Sequence, residues 1–134
     1  MTFEDLNKKL PDCPFCYENI KSKIVEEYNS VVSINDENPV SDGHLLIIPK
    51  RHCIDFFAMM QQEQLDANYL LEILRKRISE KDSTVTGFNV GMNSGESAGQ
   101  TVFHCHIHLI PRRDGDTPNP RGGVRGVIPD KMNY

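Results

Sequence analysis

His104-Cys105-His106-Ile107-His108-Leu109-Ile110 holds three of the chain's five histidines, each separated from the next by one apolar residue or cysteine. Successive side chains of a β-strand point to opposite faces. This spacing therefore sets three imidazoles on one face and Phe103, Cys105, Ile107 and Leu109 on the other. The expectation is a half-buried strand whose polar face is given over to imidazole. Three uses fit such a face: a solvated surface with no chemistry, a His-x-His zinc site completed from elsewhere, or a nucleophile whose neighbours hold a reacting phosphate. A hydrolytic zinc site calls for a carboxylate base beside the histidines, and the nearest acids, Glu96 and Asp114, are out of phase with them. Upstream, Asn93, Ser94, Ser97, Gln100 and Thr101, with the amides of Gly95 and Gly99, form a run of donors suited to anionic oxygens. The phosphate reading gains.

Outward from this strand the pattern is that of one α+β domain. Ile24–Tyr28 and Val31–Ile34, parted by Asn29-Ser30, read as a hairpin. The turn-rich stretch 35–43 leads into His44-Leu45-Leu46-Ile47-Ile48, a continuous apolar run closed by Pro49 that reads as a buried central strand. The span Ile54 to Glu80 is the long helical pattern, with Leu65, Tyr69 and Ile73, and beside them Leu70 and Leu74, at three- and four-residue spacing. Thr86–Met92 reads as a further strand. A short helix is expected from Thr2, a plausible cap, to Pro11. Strands on both sides of one major helix predict an antiparallel sheet of about five strands with the helix packed on one face.

At 134 residues the chain is the size of a single domain, 1–134, with an irregular Arg-, Gly- and Pro-rich tail from about 112 onward. The formal net charge of −4 argues against bulk nucleic-acid binding, so any phosphate affinity must be local. The first ten residues, MTFEDLNKKL, carry acids early and no apolar run, so neither a signal peptide nor a membrane span is expected. A cytoplasmic location with reduced thiols follows as the default.

The run from Gly99 to Arg112, with His104, His106 and His108 at its centre, resembles the signature of the histidine triad (HIT) family. The upstream 93–100 turn and His44 to His52 resemble that family in spacing too, so the likeness runs from about Cys13 to Arg113. The resemblance implies a HIT-like fold and hydrolysis or transfer at the α-phosphorus of a nucleotide. It makes His106 the nucleophile, which forms a transient nucleotidyl-histidine, and His108 a donor to a non-bridging oxygen. It sets Gln100 and Thr101 against the phosphate and the leaving-group side, Asn93 by the α-phosphate or ribose, and Asp36 on the ribose hydroxyls. A histidine's ordinary pKa of about 6.5 leaves much of it neutral at pH 7. Its second nitrogen then needs an acceptor, most simply a backbone carbonyl of the same strand. The family habit also implies a homodimer.

Cys13-Pro14-Phe15-Cys16 alone fits a glutaredoxin-like redox pair or half of a four-ligand zinc site. A redox pair would follow a buried strand, whereas this one follows Leu10-Pro11-Asp12. The family resemblance implies the zinc alternative, with His52 and His104 completing the set in a structural role. Cys105 is expected in the core, Cys53 has no evident partner, and His44 reads as a satisfied core histidine rather than a site neighbour. Arg112, Arg113, Arg121 and Arg125 form either a solvated tail or a basic flap over the leaving-group pocket. Gln100-Thr101-Val102 and the Ala98-Gly99-Gln100 turn resemble the Fhit branch, which cleaves diadenosine polyphosphates. The Cys pair is closer to bacterial Hint-like members, which cleave nucleoside phosphoramidates. A nucleotide-binding zinc protein with negligible turnover, and a thiol enzyme, are the readings from other classes.

Overall fold

The computed structural model describes residues 12–134, so the helix expected from Thr2 lies outside the described residues. Five strands, β1 (Ile24–Tyr28), β2 (Val31–Asn35), β3 (Leu45–Pro49), β4 (Val85–Gly91) and β5 (Ile107–Arg113), form one antiparallel sheet in the order β1-β2-β3-β5-β4. A four-residue helix, α1 (Tyr17–Ile20), precedes the sheet, and the long helix α2 (Gln61–Lys81) joins β3 to β4. Asn29 turns the first hairpin with φ of 48°, a conformation asparagine tolerates. The buried carboxylate of Asp66 accepts from Ser30 Oγ (2.6 Å) and Asn29 Nδ2 (3.3 Å), tying that turn to α2.

The alternation of the strands divides the interior. Val31, Leu45, Ile47, Ile107 and Leu109 pack with Ala67, Leu70 and Leu74 of α2. Val32, Ile34, Leu46 and Ile48 form a second cluster with Ile20, against which Phe15 and Tyr17 of the Cys-x-x-Cys arm are packed. Leu46 pairs with Ile34 on one side and with His108 on the other. Cross-strand partners share a face, so His108 emerges on the arm side of the sheet, away from α2.

Three expectations are corrected. First, the helix begins at Gln61, not Ile54. Asp55 accepts from the amides of Phe57 and Ala58 (3.0 and 3.1 Å) and closes a separate 3-10 turn over Phe56–Ala58. The chain then runs extended through Met59 and Met60 until Glu63 accepts the Met60 amide (2.7 Å) and opens α2. Second, α2 buries Ala67, Leu70 and Leu74, while Leu65 and Tyr69 are half-exposed. Both apolar stripes have helical spacing, and only the sheet decides between them. Third, the histidine strand starts at Ile107. Residues 103–106 are irregular, held by the Cys105 amide on the Cys53 carbonyl (2.7 Å). His104 is therefore fully buried and Phe103 is 43% exposed, the reverse of strict alternation.

Strand β5 also runs further than expected, to Arg113. Arg112 is spent on Asp116 and Asn89, and Arg113 on Asp82, Thr84 and the Asp42 carbonyl. Beyond them lie turns and short 3-10 segments, in which the guanidinium groups of Arg121 and Arg125 stack on Tyr134 at 4.5 and 4.9 Å.

Candidate active site and metal centre

On the arm side of the sheet a cavity of about 340 Å³ opens, lined by Phe15, Asp36, Asn93, Thr101, His106 and His108 among others. His106 stands with its Nδ1 2.9 Å from the carbonyl oxygen of His104. A carbonyl only accepts, so Nδ1 carries the proton and Nε2 is left bare. The Phe15 ring meets the His106 ring edge-on, centroids 4.9 Å apart, and restricts its rotation. His108 lies beyond, its centroid 5.4 Å from that of His106. Burial holds His108 below the ordinary histidine range, reinforced by the neighbouring His106 and His44 and opposed by Asp36.

The donors expected from the 93–101 segment divide into two sets. Asn93 and Thr101 line the cavity. Gln100 does not: it is buried, its Oε1 accepts the Gly95 amide (2.8 Å), and its Nε2 donates to the carbonyls of Ile54 (2.6 Å) and Val102 (3.1 Å). The Gly99 amide is likewise spent on the Glu96 carbonyl (2.9 Å). Gln100 thus braces the loop that carries Thr101. No residue of the Arg-rich tail lines the cavity, so the basic flap is not formed.

Asp36 enters the site from the end of β2. Its Oδ1 accepts the Asn38 amide (2.8 Å), and its Oδ2 lies 3.4 Å from His44 Nε2 and 3.8 Å from His108 Nδ1. His44, expected as a core histidine, is buried and also reaches the site, its Nε2 2.9 Å from His108 Nδ1. Sequence reasoning places His44 in the core and does not single out Phe15. The signal for both was position: His44 opens the strand paired with the triad, and Phe15 lies between the two arm cysteines.

Behind His106, Cys13, Cys16, His52 and His104 converge, all four buried. Cys13 Sγ and Cys16 Sγ lie 3.5 and 3.7 Å from His104 Nδ1, Cys16 Sγ lies 3.4 Å from His52 Nδ1, and the two Nδ1 atoms are 3.1 Å apart. Tetrahedral zinc with bonds of about 2.0–2.3 Å separates its ligands by roughly 3.3–3.8 Å. The second nitrogen of His104 donates to the Pro49 carbonyl (2.8 Å), which leaves Nδ1 bare toward the cluster, as a metal ligand requires. Burial pushes His104 down to about 4, keeping it neutral. These four residues fit zinc.

The cluster also weighs against a redox pair. Burial pushes the Cys13 thiol up to about 11, the opposite of an activated nucleophile. Cys53 and Cys105 are buried in the core under α2. Burial and the contact with Cys53 raise the Cys105 thiol far above its ordinary value, the contact being the larger cause.

Asp36, His44 and His108 are equally close together. There, however, His44 Nδ1 accepts from the Val40 amide (3.1 Å). A neutral imidazole ligating through Nε2 must carry its proton on Nδ1, where it would meet the Val40 N–H head-on. The donor chemistry rejects a cation at this second cluster.

Comparison with known proteins agrees with this geometry. The HIT domain family model matches residues 17–115. An uncharacterized HIT-like protein of Methanocaldococcus jannaschii is 36% identical over 124 residues, covering 90% of this chain and 95% of the relative. A histidine triad nucleotide-binding protein of Sulfolobus tokodaii, described as hypothetical, superposes with a TM-score of 0.70 at 31% identity, over 80% of this chain and 73% of that one. A zinc-bound histidine triad family protein of Mycobacterium smegmatis superposes with a TM-score of 0.70 at 28% identity, over 87% and 90% of the two chains. With its triad on the arm side of a five-stranded antiparallel sheet, the chain belongs to the HIT domain family.

Proposed function

We propose that this protein is a nucleotide hydrolase or transferase that cleaves a dinucleoside polyphosphate, such as diadenosine tetraphosphate, at the α-phosphorus through a nucleotidyl-histidine. The observation that carries the reading is His106, held by the His104 carbonyl so that a bare Nε2 belongs to a ring lining a nucleotide-sized cavity. In the first step Nε2 bonds to the α-phosphorus and the phosphorus–oxygen bond to the leaving phosphate breaks, the oxygen departing with the electron pair. Water then attacks the same phosphorus, the phosphorus–nitrogen bond breaks with its electron pair returning to Nε2, the water's proton passes to solvent, and His106 returns with its ring neutral. His108, Thr101 and Asn93 line the cavity where charge on the phosphoryl oxygens develops. Asp36, at the cavity's β2 side, is suited to accept ribose hydroxyls.

Cys13, Cys16, His52 and His104 would hold zinc, two thiolates and two neutral imidazoles giving a site without net charge. The ion's contribution there is structural: it fastens the arm that carries Phe15 to the residue two before the nucleophile. A zinc site of reduced thiols suits the cytoplasm, and the half-exposed Leu65 and Tyr69 of α2 suit a homodimer. The net charge of −4 suits no bulk nucleic-acid partner, and no helix among the described residues is long and apolar enough to cross a membrane.

A phosphoramidate hydrolase is the second reading, favoured by the arm cysteines, and it would use the same nucleophile. Parallel turnover of diadenosine tetraphosphate and an adenosine phosphoramidate by the wild type and His106→Ala tests both. Cleavage of either substrate that falls at least a thousandfold in the variant supports the nucleophile, and the preferred substrate decides the branch. Equal rates in variant and wild type, or binding of nucleotide with no cleavage, would leave a nucleotide-binding zinc protein.

A further inference from the structure

We propose that His44 is a positioning residue that fixes the tautomer of His108, so that His108 always turns an N–H donor, and never a lone pair, toward the bound phosphate. The inference rests on the reading of the cavity as a phosphate site, and its own content is a chain of three hydrogen bonds.

The chain starts at a group with no choice. A backbone amide has one hydrogen and no available lone pair, so where the Val40 N–H meets His44 Nδ1 at 3.1 Å, that nitrogen must be bare. The neutral His44 ring then carries its proton on Nε2. Two imidazole nitrogens face each other at 2.9 Å between His44 Nε2 and His108 Nδ1, and one proton must lie between them. His44 supplies it, so His108 Nδ1 accepts. The proton of the neutral His108 ring is thereby sent to Nε2, the nitrogen that neither His44 nor Asp36 approaches.

Asp36 shows what His44 prevents. Its Oδ2, 3.8 Å from His108 Nδ1, is too far for a hydrogen bond, but its negative charge would favour a proton on that nitrogen if the His44 donor were absent. His108 would then present a lone pair to the anionic oxygens of a nucleotide. With His44 in place, the carboxylate sits 3.4 Å from the proton-bearing Nε2 of His44 instead. His44 is 3% exposed, so water does not compete for this bond. The low basicity of both rings fits: a second proton would place two N–H groups face to face, in a site where burial already opposes charge.

The test reads tautomers directly. Long-range proton–nitrogen correlation spectra of the zinc-loaded, uniformly labelled protein at pH 7.5 assign each ring, followed by kcat and KM for the preferred nucleotide. In the wild type both His44 and His108 carry the proton on Nε2. In His44→Leu the His108 proton moves to Nδ1, kcat falls tenfold or more and KM stays within about twofold. In His44→Gln, whose amide keeps a donor near the former Nε2, His108 keeps its tautomer and most of kcat returns. A wild-type His108 protonated on Nδ1 overturns the proposal whatever the variants do. So does a folded His44→Leu protein with unchanged tautomer and kcat. If the tautomers are as stated and no nucleotide is turned over, the hydrogen-bond chain stands and the hydrolase reading falls.

Discussion

The three imidazoles of the triad differ chiefly in what each ring's second nitrogen faces. His104 gives its Nε2 proton to Pro49 and turns a bare Nδ1 to the cysteines. His106 does the reverse, giving its Nδ1 proton to the His104 carbonyl. One residue is thus placed to hold a metal through its ring and, in the proposed mechanism, to orient the nucleophile through its backbone. Replacing Cys16 with serine leaves a hard, weakly acidic oxygen at a position that needs thiolate. We expect wild-type protein to carry one zinc per chain by elemental analysis and Cys16→Ser to carry a tenth or less. Stoichiometric zinc in the variant would remove Cys16 from the ligand set. The position of His106 in the cavity was legible from the spacing and the family signature. The place of Asp36 at the cavity was legible through the same signature, whereas that of His44 was not, because it arises from register across β3 and β5.

At the scale of elements, α2 carries two apolar stripes. Leu70 is fully buried between the helix and the sheet, whereas Leu65 is 55% exposed. Leu70→Ala is expected to lower the unfolding free energy by about 2–5 kcal/mol. Leu65→Ala should change it by about 0.5 kcal/mol or less in the monomer. Chemical denaturation of both variants checks this, and a reversed order would mean that the helix is rotated. The helix was legible as an element, but its first residue and its buried face were not. A turn closed by Asp55 and an N-terminus secured by Glu63, itself paired with Arg51 (2.8 Å), are decided by long side chains reaching across the chain. The triad strand was read one turn too long for the same reason. Periodicity reports what a strand would do, whereas the Cys105 amide on the Cys53 carbonyl and the His104 ring on the Pro49 carbonyl hold the residues before Ile107 out of the ladder.

For the whole molecule the sheet is a partition. The α2 face holds the larger apolar cluster, and the arm face carries a smaller one beside the cavity that His106 and His108 line. That face is built on neutral imidazoles, which sets how the fold responds to acid. Burial lowers His104, His44 and His108 below the ordinary value, His104 to about 4. Below about pH 6.5 the unfolded chain takes up protons on these rings that the folded chain refuses, so protonation favours unfolding. Their contribution is complete above about pH 6.5 and is lost as pH falls through that value towards 4. The melting temperature should therefore drop steadily between pH 7 and pH 5, and less steeply in protein stripped of metal by a chelator, because zinc-held thiolates add protons that only the unfolded chain carries. A flat profile across this window would show that the rings are not buried in the neutral form. The five-stranded antiparallel architecture was legible in the order of apolar runs, whereas the cavity was not. It forms where the arm, β2, the 93–101 loop and the triad meet, and no local pattern records that meeting.

The central claim is that His106 bonds to phosphorus, and an alkali-quenched single turnover tests it most directly. Excess enzyme is mixed with a dinucleoside polyphosphate labelled at the α-phosphorus, quenched within one turnover and digested. The account predicts transient label on the peptide containing His106, decaying as mononucleotide appears and absent in His106→Ala. Label on another residue, or a His106→Ala protein that turns over at the wild-type rate, would contradict it.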